Sequence, residues 1–312
     1  MMLRRREWLR CAAALAAASA WPLQAAEGEP FDTLDLDWAD TRRQRPVPVR
    51  LYLPQAGQAV PLVVFSHGIG GSRRGYSWLG QHFARHGIAG LHLQHVGSDR
   101  DLWTGSIFSV IGRLQDAAQD SEAIHRAQDL RFALDTLLTS ELAPRVDASR
   151  IVAAGHSYGA NTTLLASGAR VEREGRVVLL RDERVRAAIV ISAPPFYGEA
   201  EPRKVLQAVT VPSLHITCTE DIIRIPGYYS GPQDRVAVFD ATGSTRKWWC
   251  HAQPAGQRSH AGADAGFSAD GVRRRQSGSA CLAAAACGDP GAFFGGWRLS
   301  AWVCSGLLKI ST

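Results

Sequence analysis

RIVAAGHSYGANTT, residues 150–163, runs from an apolar stretch through a glycine–serine turn into residues that suit a helix. RIVAAGHS (150–157) reads as a buried strand and GANTTLLASGA (159–169) as the helix that follows it. Between them GHSYG (155–159) matches the G-x-S-x-G pattern. A sharp strand-to-helix turn forces strained dihedrals on the serine, and the flanking glycines leave room for close backbone approach. The Ser157 hydroxyl is then held out over the sheet as a nucleophile, with the N–H of Tyr158 aimed at the same spot.

Outward from this turn the chain alternates strand and helix. VPVRLYLP (47–54) has the period of a half-exposed strand, and PLVVFS (61–66) is a buried strand ending in a glycine cluster. YSWLGQHFARHG (76–87) places Trp78, Leu79, His82 and Phe83 on one helical face, and IAGLHLQ (88–94) is the next buried strand. SEAIHRAQDLRFALDTLLTS (121–140) is a long amphipathic helix, and RAAIVISAP and VPSLHITCT, beginning at 186 and 211, are two more buried strands. This order predicts an α/β fold: a mostly parallel sheet with helices on both faces. Ligands in such sheets bind beyond the carboxyl ends of the strands. The informative loops are therefore HGIGG, HVGSDRD, HSYG, APPFYG and TEDIIR.

FSHGIGGSRRGYS (65–77) is rich enough in glycine to turn backbone N–H groups towards a developing oxyanion. Ile69 is assigned as the second donor beside Tyr158, with Gly68 and Gly70 as neighbours able to substitute. Arg73 and Arg74 lack the G-K-[ST] of a phosphate loop. Asp221 directly follows the LHITCT strand, where a carboxylate can orient a histidine ring and stabilise the imidazolium. Trp103, Tyr158, Phe196 and Tyr197 lie on strand-end loops as candidates to line an acyl or aryl pocket, and 98–116 is a candidate lid.

With these residues in place, PLVVFSHGIGGSRRGYSWLGQHFARHGIAGLHLQHVGSDRD (61–101) and GHSYGANTT (155–163) resemble the α/β-hydrolase superfamily. Within it they resemble bacterial platelet-activating-factor acetylhydrolases and the dienelactone-hydrolase-like serine esterases, over about residues 30–247. The resemblance implies a Ser-Asp-His triad and an oxyanion hole, with Ser157, Asp221, Ile69 and Tyr158 at the matching positions. Dienelactone hydrolases proper use a cysteine nucleophile, so Ser157 favours ester hydrolysis.

The same resemblance implies a histidine on a loop after the last strand. His67 and His156 flank the motifs; His82, His86, His92, His95 and His125 precede the serine; His215 lies within a buried strand. His251 and His260 remain. His251 follows KWWC, which continues the last strand, whereas GQRSHAG puts His260 after a turn. His260 is the candidate base. Here the composition changes. Residues 250–312 contain 13 Ala and 10 Gly, no Glu, Tyr or Asn, and four of the six cysteines, with no sustained period. A reading-frame slip near 248–250 accounts for this. A one-base shift can turn residues 257–260 into Ser-Gly-His-Thr and CLAAAACGDPGA into an amphipathic helix.

Charge bounds the partners. Residues 1–26 carry four arginines against Glu7, and 247–312 carry seven lysines and arginines against three aspartates. Removing both from the net charge of +6 leaves −1 over 27–246. A near-neutral body argues against a nucleic-acid partner. RRREWLR followed by CAAALAAASAWPL reads as a twin-arginine export signal over 1–26, its apolar run too short for a bilayer. No stable membrane span is expected once it is removed. The expected organisation is a signal at 1–26, a hydrolase domain at 27–249 and an aberrant tail at 250–312. The expected function is a periplasmic or secreted serine hydrolase acting on small-molecule or lipid esters, with no cofactor and no metal. The alternative is a catalytically impaired protein of the same fold that has lost its native histidine loop.

Overall fold

The structure, a computed structural model, describes residues 29–252 apart from 174, 219–220 and 226–227. The export signal and His260 lie outside the described residues.

In chain order the elements are β1 (Phe31–Asp40), β2 (Arg45–Pro54), β3 (Val60–Ser66), α1 (Ser77–Arg85), β4 (Ala89–Leu93), α2 (Ile107–Ala117), α3 (Asp120–Thr139) and β5 (Val146–His156). They continue with α4 (Tyr158–Ala166), β6 (Arg170–Arg173), β7 (Arg176–Leu179), β8 (Val185–Ile191), α5 (Pro202–Leu206) and β9 (Ser213–Cys218). The last are β10 (Ile223–Ile225), β11 (Tyr228–Ser230), α6 (Pro232–Ala241) and β12 (Lys247–Ala252).

Eight strands form one sheet in the order β1-β2-β4-β3-β5-β8-β9-β12. β1–β2 and β2–β4 are antiparallel, and every other pair is parallel. After β3 the chain steps to β4 on one side, then crosses to β5 on the other. The strand order therefore reverses beside β3, where Ser66 pairs with Gly155. A crevice opens at the carboxyl ends of two strands at such a switch point. The Ser66–His67–Gly68 and Gly155–His156–Ser157 segments emerge at this one place.

The helices bury apolar stripes against the sheet. Leu130, Ala133, Leu134 and Leu137 recur at helical spacing on α3 and are wholly buried against Leu51, Leu62, Val64 and Leu91. On α1, Leu79 and Phe83 pack with Val63 and Phe65. α4 is buried from Gly159 to Ala166, as its mostly apolar sequence requires, and packs Ala160 and Leu164 against Ala188 and Val190. Each such leucine contributes roughly 1.5–3 kcal/mol through burial. The turn of Ser157 is thus carried by a central strand and a fully buried helix.

β1 and the hairpins β6–β7 and β10–β11 extend the alternation expected from the sequence. The candidate lid resolves into a 3₁₀ turn, Arg100–Trp103, and the separate helix α2. No helix among the described residues is long and apolar enough to cross a membrane.

Candidate active site

β5 delivers Ser157 into a left-handed backbone conformation, φ 52° and ψ −121°. Such a conformation costs on the order of 1–3 kcal/mol and persists only where its surroundings fix it. Here they do. The Ser157 N–H donates to the carbonyl of Ile191 at 2.8 Å, and the Ser157 carbonyl accepts from Ala160 N–H at 2.8 Å. The two glycines of the motif make the turn sterically possible. A Cβ on Gly155 would lie 2.1 Å from the Gly159 carbonyl oxygen, and one on Gly159 would lie 1.9 Å from that of Ser66.

The loop after β3 rests on this turn. A Cβ on Gly68 would meet Ser157 Cβ at 3.3 Å. His67 Nδ1–H donates to the Gly68 carbonyl at 2.6 Å, while His67 Nε2 accepts from His95 N–H at 3.1 Å. Burial, with the Arg126 and His95 charges behind it, holds the His67 pKa well below its ordinary value, so the ring is neutral. Gly70 N–H donates to the Ser98 carbonyl at 2.8 Å and Gly71 N–H to that of Gly68 at 3.1 Å. Gly70 is therefore occupied and does not substitute for Ile69 as a donor. Among the described residues, neither Ile69 N–H nor Tyr158 N–H has a backbone acceptor.

Asp221 stands just beyond β9, two strands over from β5, roughly 10 Å away at the usual strand spacing. Its Oδ2 accepts from Thr217 Oγ1 at 2.7 Å and from Arg235 Nε at 3.2 Å, and its Oδ1 accepts from Arg235 Nη2 at 3.3 Å. Burial pushes the carboxyl pKa up, but the hydrogen bonds from Arg235 and Thr217 outweigh it and hold the pKa below its ordinary value. The charge of Asp221 reaches His156, whose pKa burial nonetheless pushes down to about 4.

A family model for platelet-activating factor acetylhydrolase, isoform II, matches residues 51–104, the span from β2 through the glycine-rich loop to Trp103. The chain is 23% identical over 228 residues to a platelet-activating factor acetylhydrolase of Cavia porcellus, covering 62% of this chain and 49% of that protein. It is 28% identical over 132 residues to cutinase est1 of Thermobifida alba, covering 41% and 38%. The chain spans about half the length or less of these curated relatives. A ferulic acid esterase structure from Streptomyces cinnamoneus superposes with a TM-score of 0.53 at 24% identity, covering 73% of this chain and 74% of that one. This is an α/β-hydrolase fold.

In this α/β-hydrolase fold the strand-end loops carry Ser157, Tyr158, Ile69 and Asp221 at the carboxyl ends of the strands. No histidine among the described side chains is hydrogen-bonded to Ser157 or Asp221. His251 belongs to β12, opposite Thr217. Of the candidate pocket aromatics, Trp103 donates from Nε1 to the Gly70 carbonyl at 3.1 Å and is 55% exposed. Tyr197 OH donates to the Tyr228 carbonyl at 3.1 Å, and Phe196 packs instead against the α4–β8 core. Among the described residues no cluster of three or more side chains is placed to hold a metal ion.

Two partners carry little signal in the sequence. Arg235 comes from α6 to hold Asp221. Arg126 comes from the buried face of α3 to the Tyr158 ring and Thr162, beside the turn of Ser157. The only trace of Arg126 is that it falls in line with Leu130, Ala133 and Leu137, where an apolar residue is expected.

Proposed function

We propose that the chain is an exported serine hydrolase of carboxylic esters. Ser157 Oγ attacks the ester carbonyl while His260, oriented by Asp221, takes its proton. The carbonyl oxygen gathers negative charge between the N–H groups of Ile69 and Tyr158. The ester C–O bond then breaks, the alcohol leaves with the proton from His260, and water cleaves the acyl-Ser157 by the same steps. The observation that carries this reading is Ser157 on its strained turn, beside a glycine-rich loop, with Ile69 N–H and Tyr158 N–H lacking a backbone acceptor among the described residues. The names of the relatives, acetylhydrolase and cutinase, support small-molecule or lipid esters as substrates. The twin-arginine segment supports a periplasmic or secreted location.

A second reading is favoured by one feature. The Asp221 carboxylate is already engaged by Arg235 and Thr217. If the tail from 250 onwards is out of frame, the chain is a hydrolase fold without a working base. Loss of a triad base costs on the order of 10⁶ in turnover, with roughly 10³–10⁴ over water left to the oxyanion hole and binding.

Turnover of a short-chain p-nitrophenyl ester, beside Ser157→Ala and His260→Ala, separates the two. Clear activity abolished by both substitutions establishes the enzyme. An unmodified chain no faster than Ser157→Ala, and not labelled by a fluorophosphonate, establishes the impaired form.

A further inference from the structure

Arg126 is a charged residue with no exposed surface, and among the described residues it makes no ion pair within contact distance. A buried cation is costly unless its donors are satisfied. The three nitrogens of the guanidinium point to three different segments. Nη2 donates to the carbonyl of His67. Nη1 donates to Ser98 Oγ at 2.8 Å, and Nε donates to Thr162 Oγ1 at 3.0 Å. The plane of the guanidinium lies over the Tyr158 ring, with Cζ 4.6 Å from the ring centre.

Each contact bears on a segment that carries one of the two proposed donors, Ile69 N–H and Tyr158 N–H. His67 lies two residues before Ile69. On the other side of Ile69, Gly70 N–H is held by the Ser98 carbonyl, and it is the Ser98 hydroxyl that Arg126 contacts. Ile69 is thus bracketed by two fixed points that share one guanidinium. Tyr158 is held from its ring by the cation and from its carbonyl by Thr162 Oγ1, which donates to it at 3.2 Å while accepting from Arg126. Ser98 Oγ donates in turn to Glu122 at 2.7 Å, which places a carboxylate beyond the cluster. Burial pulls the Arg126 pKa down to about 10, with Tyr158, Glu122 and Asp129 acting in the opposite sense, so the residue stays charged at neutral pH.

We propose that Arg126 is a positioning residue for ester hydrolysis: it ties the loop of Ile69 to the turn of Tyr158 and so fixes the distance between the two oxyanion donors. This rests on the esterase reading above. The two donors come from different strand-end loops, and the direct backbone contact between them is steric, through Gly68 and Gly159. Preorganised donors are effective because they need no rearrangement as charge develops. A planar fork of this kind cannot be reproduced by the single ammonium of lysine.

The test uses the full chain with Arg126→Met, Arg126→Lys and Thr162→Val. Three quantities are measured: kcat and KM for p-nitrophenyl acetate, the thermal midpoint, and amide hydrogen exchange over 67–71 and 157–162. Misplacing an oxyanion donor predicts a fall in kcat of about 100-fold in Arg126→Met, with KM changed less than about threefold. Arg126→Lys keeps the charge but not the fork and recovers part of that loss, on the order of tenfold. Exchange accelerates in both segments together and not in the β1–β2 hairpin. The proposal is overturned by a folded Arg126→Met with kcat within about threefold of the parent, or by exchange that changes in neither segment or in one alone. It is equally overturned if kcat, KM and the thermal midpoint all shift in step, as a purely structural role would require. If Arg126→Met does not fold, Thr162→Val decides. About a tenfold loss of kcat at constant KM supports the tie, and unchanged kcat overturns it. If the unmodified chain is no faster than Ser157→Ala, the esterase reading fails separately. Exchange alone then decides whether Arg126 couples the two segments.

Discussion

The carbonyl oxygen of Ser66 occupies the place where a side chain on Gly159 would begin, 1.9 Å from the Cβ position. The end of β3 and the start of α4 are therefore in backbone contact, and this contact sets Ser157 against the glycine-rich loop. Gly159→Ala must push the two apart. The obstacle is backbone on a central strand, which cannot swing aside as a side chain would. Destabilisation on the order of 3 kcal/mol is expected, at the upper end of overpacking costs. Urea unfolding measures it. A change below about 1 kcal/mol would mean that α4 can shift freely on the sheet.

Arg235 and Asp221 form a largely buried pair, with 2% and 11% of their side chains exposed. Replacing Arg235 with leucine leaves the carboxylate without its main partner, at an expected cost of about 3–5 kcal/mol at pH 7. The pH dependence gives a second check. The folded Asp221 pKa lies below its ordinary value, so the pairing stabilises the fold above the unfolded value near 4. That contribution is lost as pH falls from about 4 through the folded pKa. Arg235→Leu should therefore flatten the loss of stability below pH 4 relative to the parent. Parallel curves for the two proteins would show that Arg235 does not set the ionisation of Asp221.

Trp103 is more than half exposed, yet its ring covers Gly70: a Cβ there would lie 2.2 Å from Nε1. It adds one hydrogen bond to the segment next to Ile69. Trp103→Ala should lower kcat/KM for p-nitrophenyl acetate by roughly three- to tenfold, the value of one such bond. Stability should change by less than about 1 kcal/mol, because most of the ring is already in water. Steady-state kinetics and urea unfolding of the same preparation check both. Unaltered kinetics would make Trp103 a surface residue without influence on the loop.

The strands, the strand–turn–helix geometry at Ser157 and the place of Asp221 after β9 were legible because each is a local pattern. An apolar run, a glycine pair and a chain order all survive in one dimension. What was not legible depends on tertiary placement. Glu122, Arg126 and Asp129 are charged residues of a helix, yet all three are buried on α3. Their partners come from distant segments: Arg45 for Asp129 and Glu122, and His67, Ser98 and Thr162 for Arg126. β1 alternates clearly, but its acidic outer residues, Asp35 and Asp37, gain their arginine partners only when β2 and the Arg73 loop fold beside it. The histidine was the hardest element to read, because the composition changes just where the resemblance expects it.

The buried histidines make the fold sensitive to mild acid. Burial pushes the pKa of His92 to about 4, His95 to about 3, His156 to about 4 and His215 to about 3, and holds that of His67 well below the usual value. In the unfolded chain each titrates near 6.5. Between these values the unfolded state binds protons that the folded state refuses, so stability rises with pH across this window. Each histidine contributes a slope of up to about 1.4 kcal/mol per pH unit. The contribution is fully present above pH 6.5 and is lost as pH falls towards 4. His95 and His215 resist longest: burial keeps both rings neutral, and at His95 it outweighs the Asp129 carboxylate, which accepts from Nδ1 at 3.1 Å and favours protonation. Acting together, the five groups should make stability fall from about pH 6.5 downward, before the carboxylates titrate. Urea unfolding at half-unit steps from pH 7.5 to 4.5 measures the slope. A stability that stays flat between pH 7 and 5 would mean that these rings take up protons as readily in the fold as in the unfolded chain.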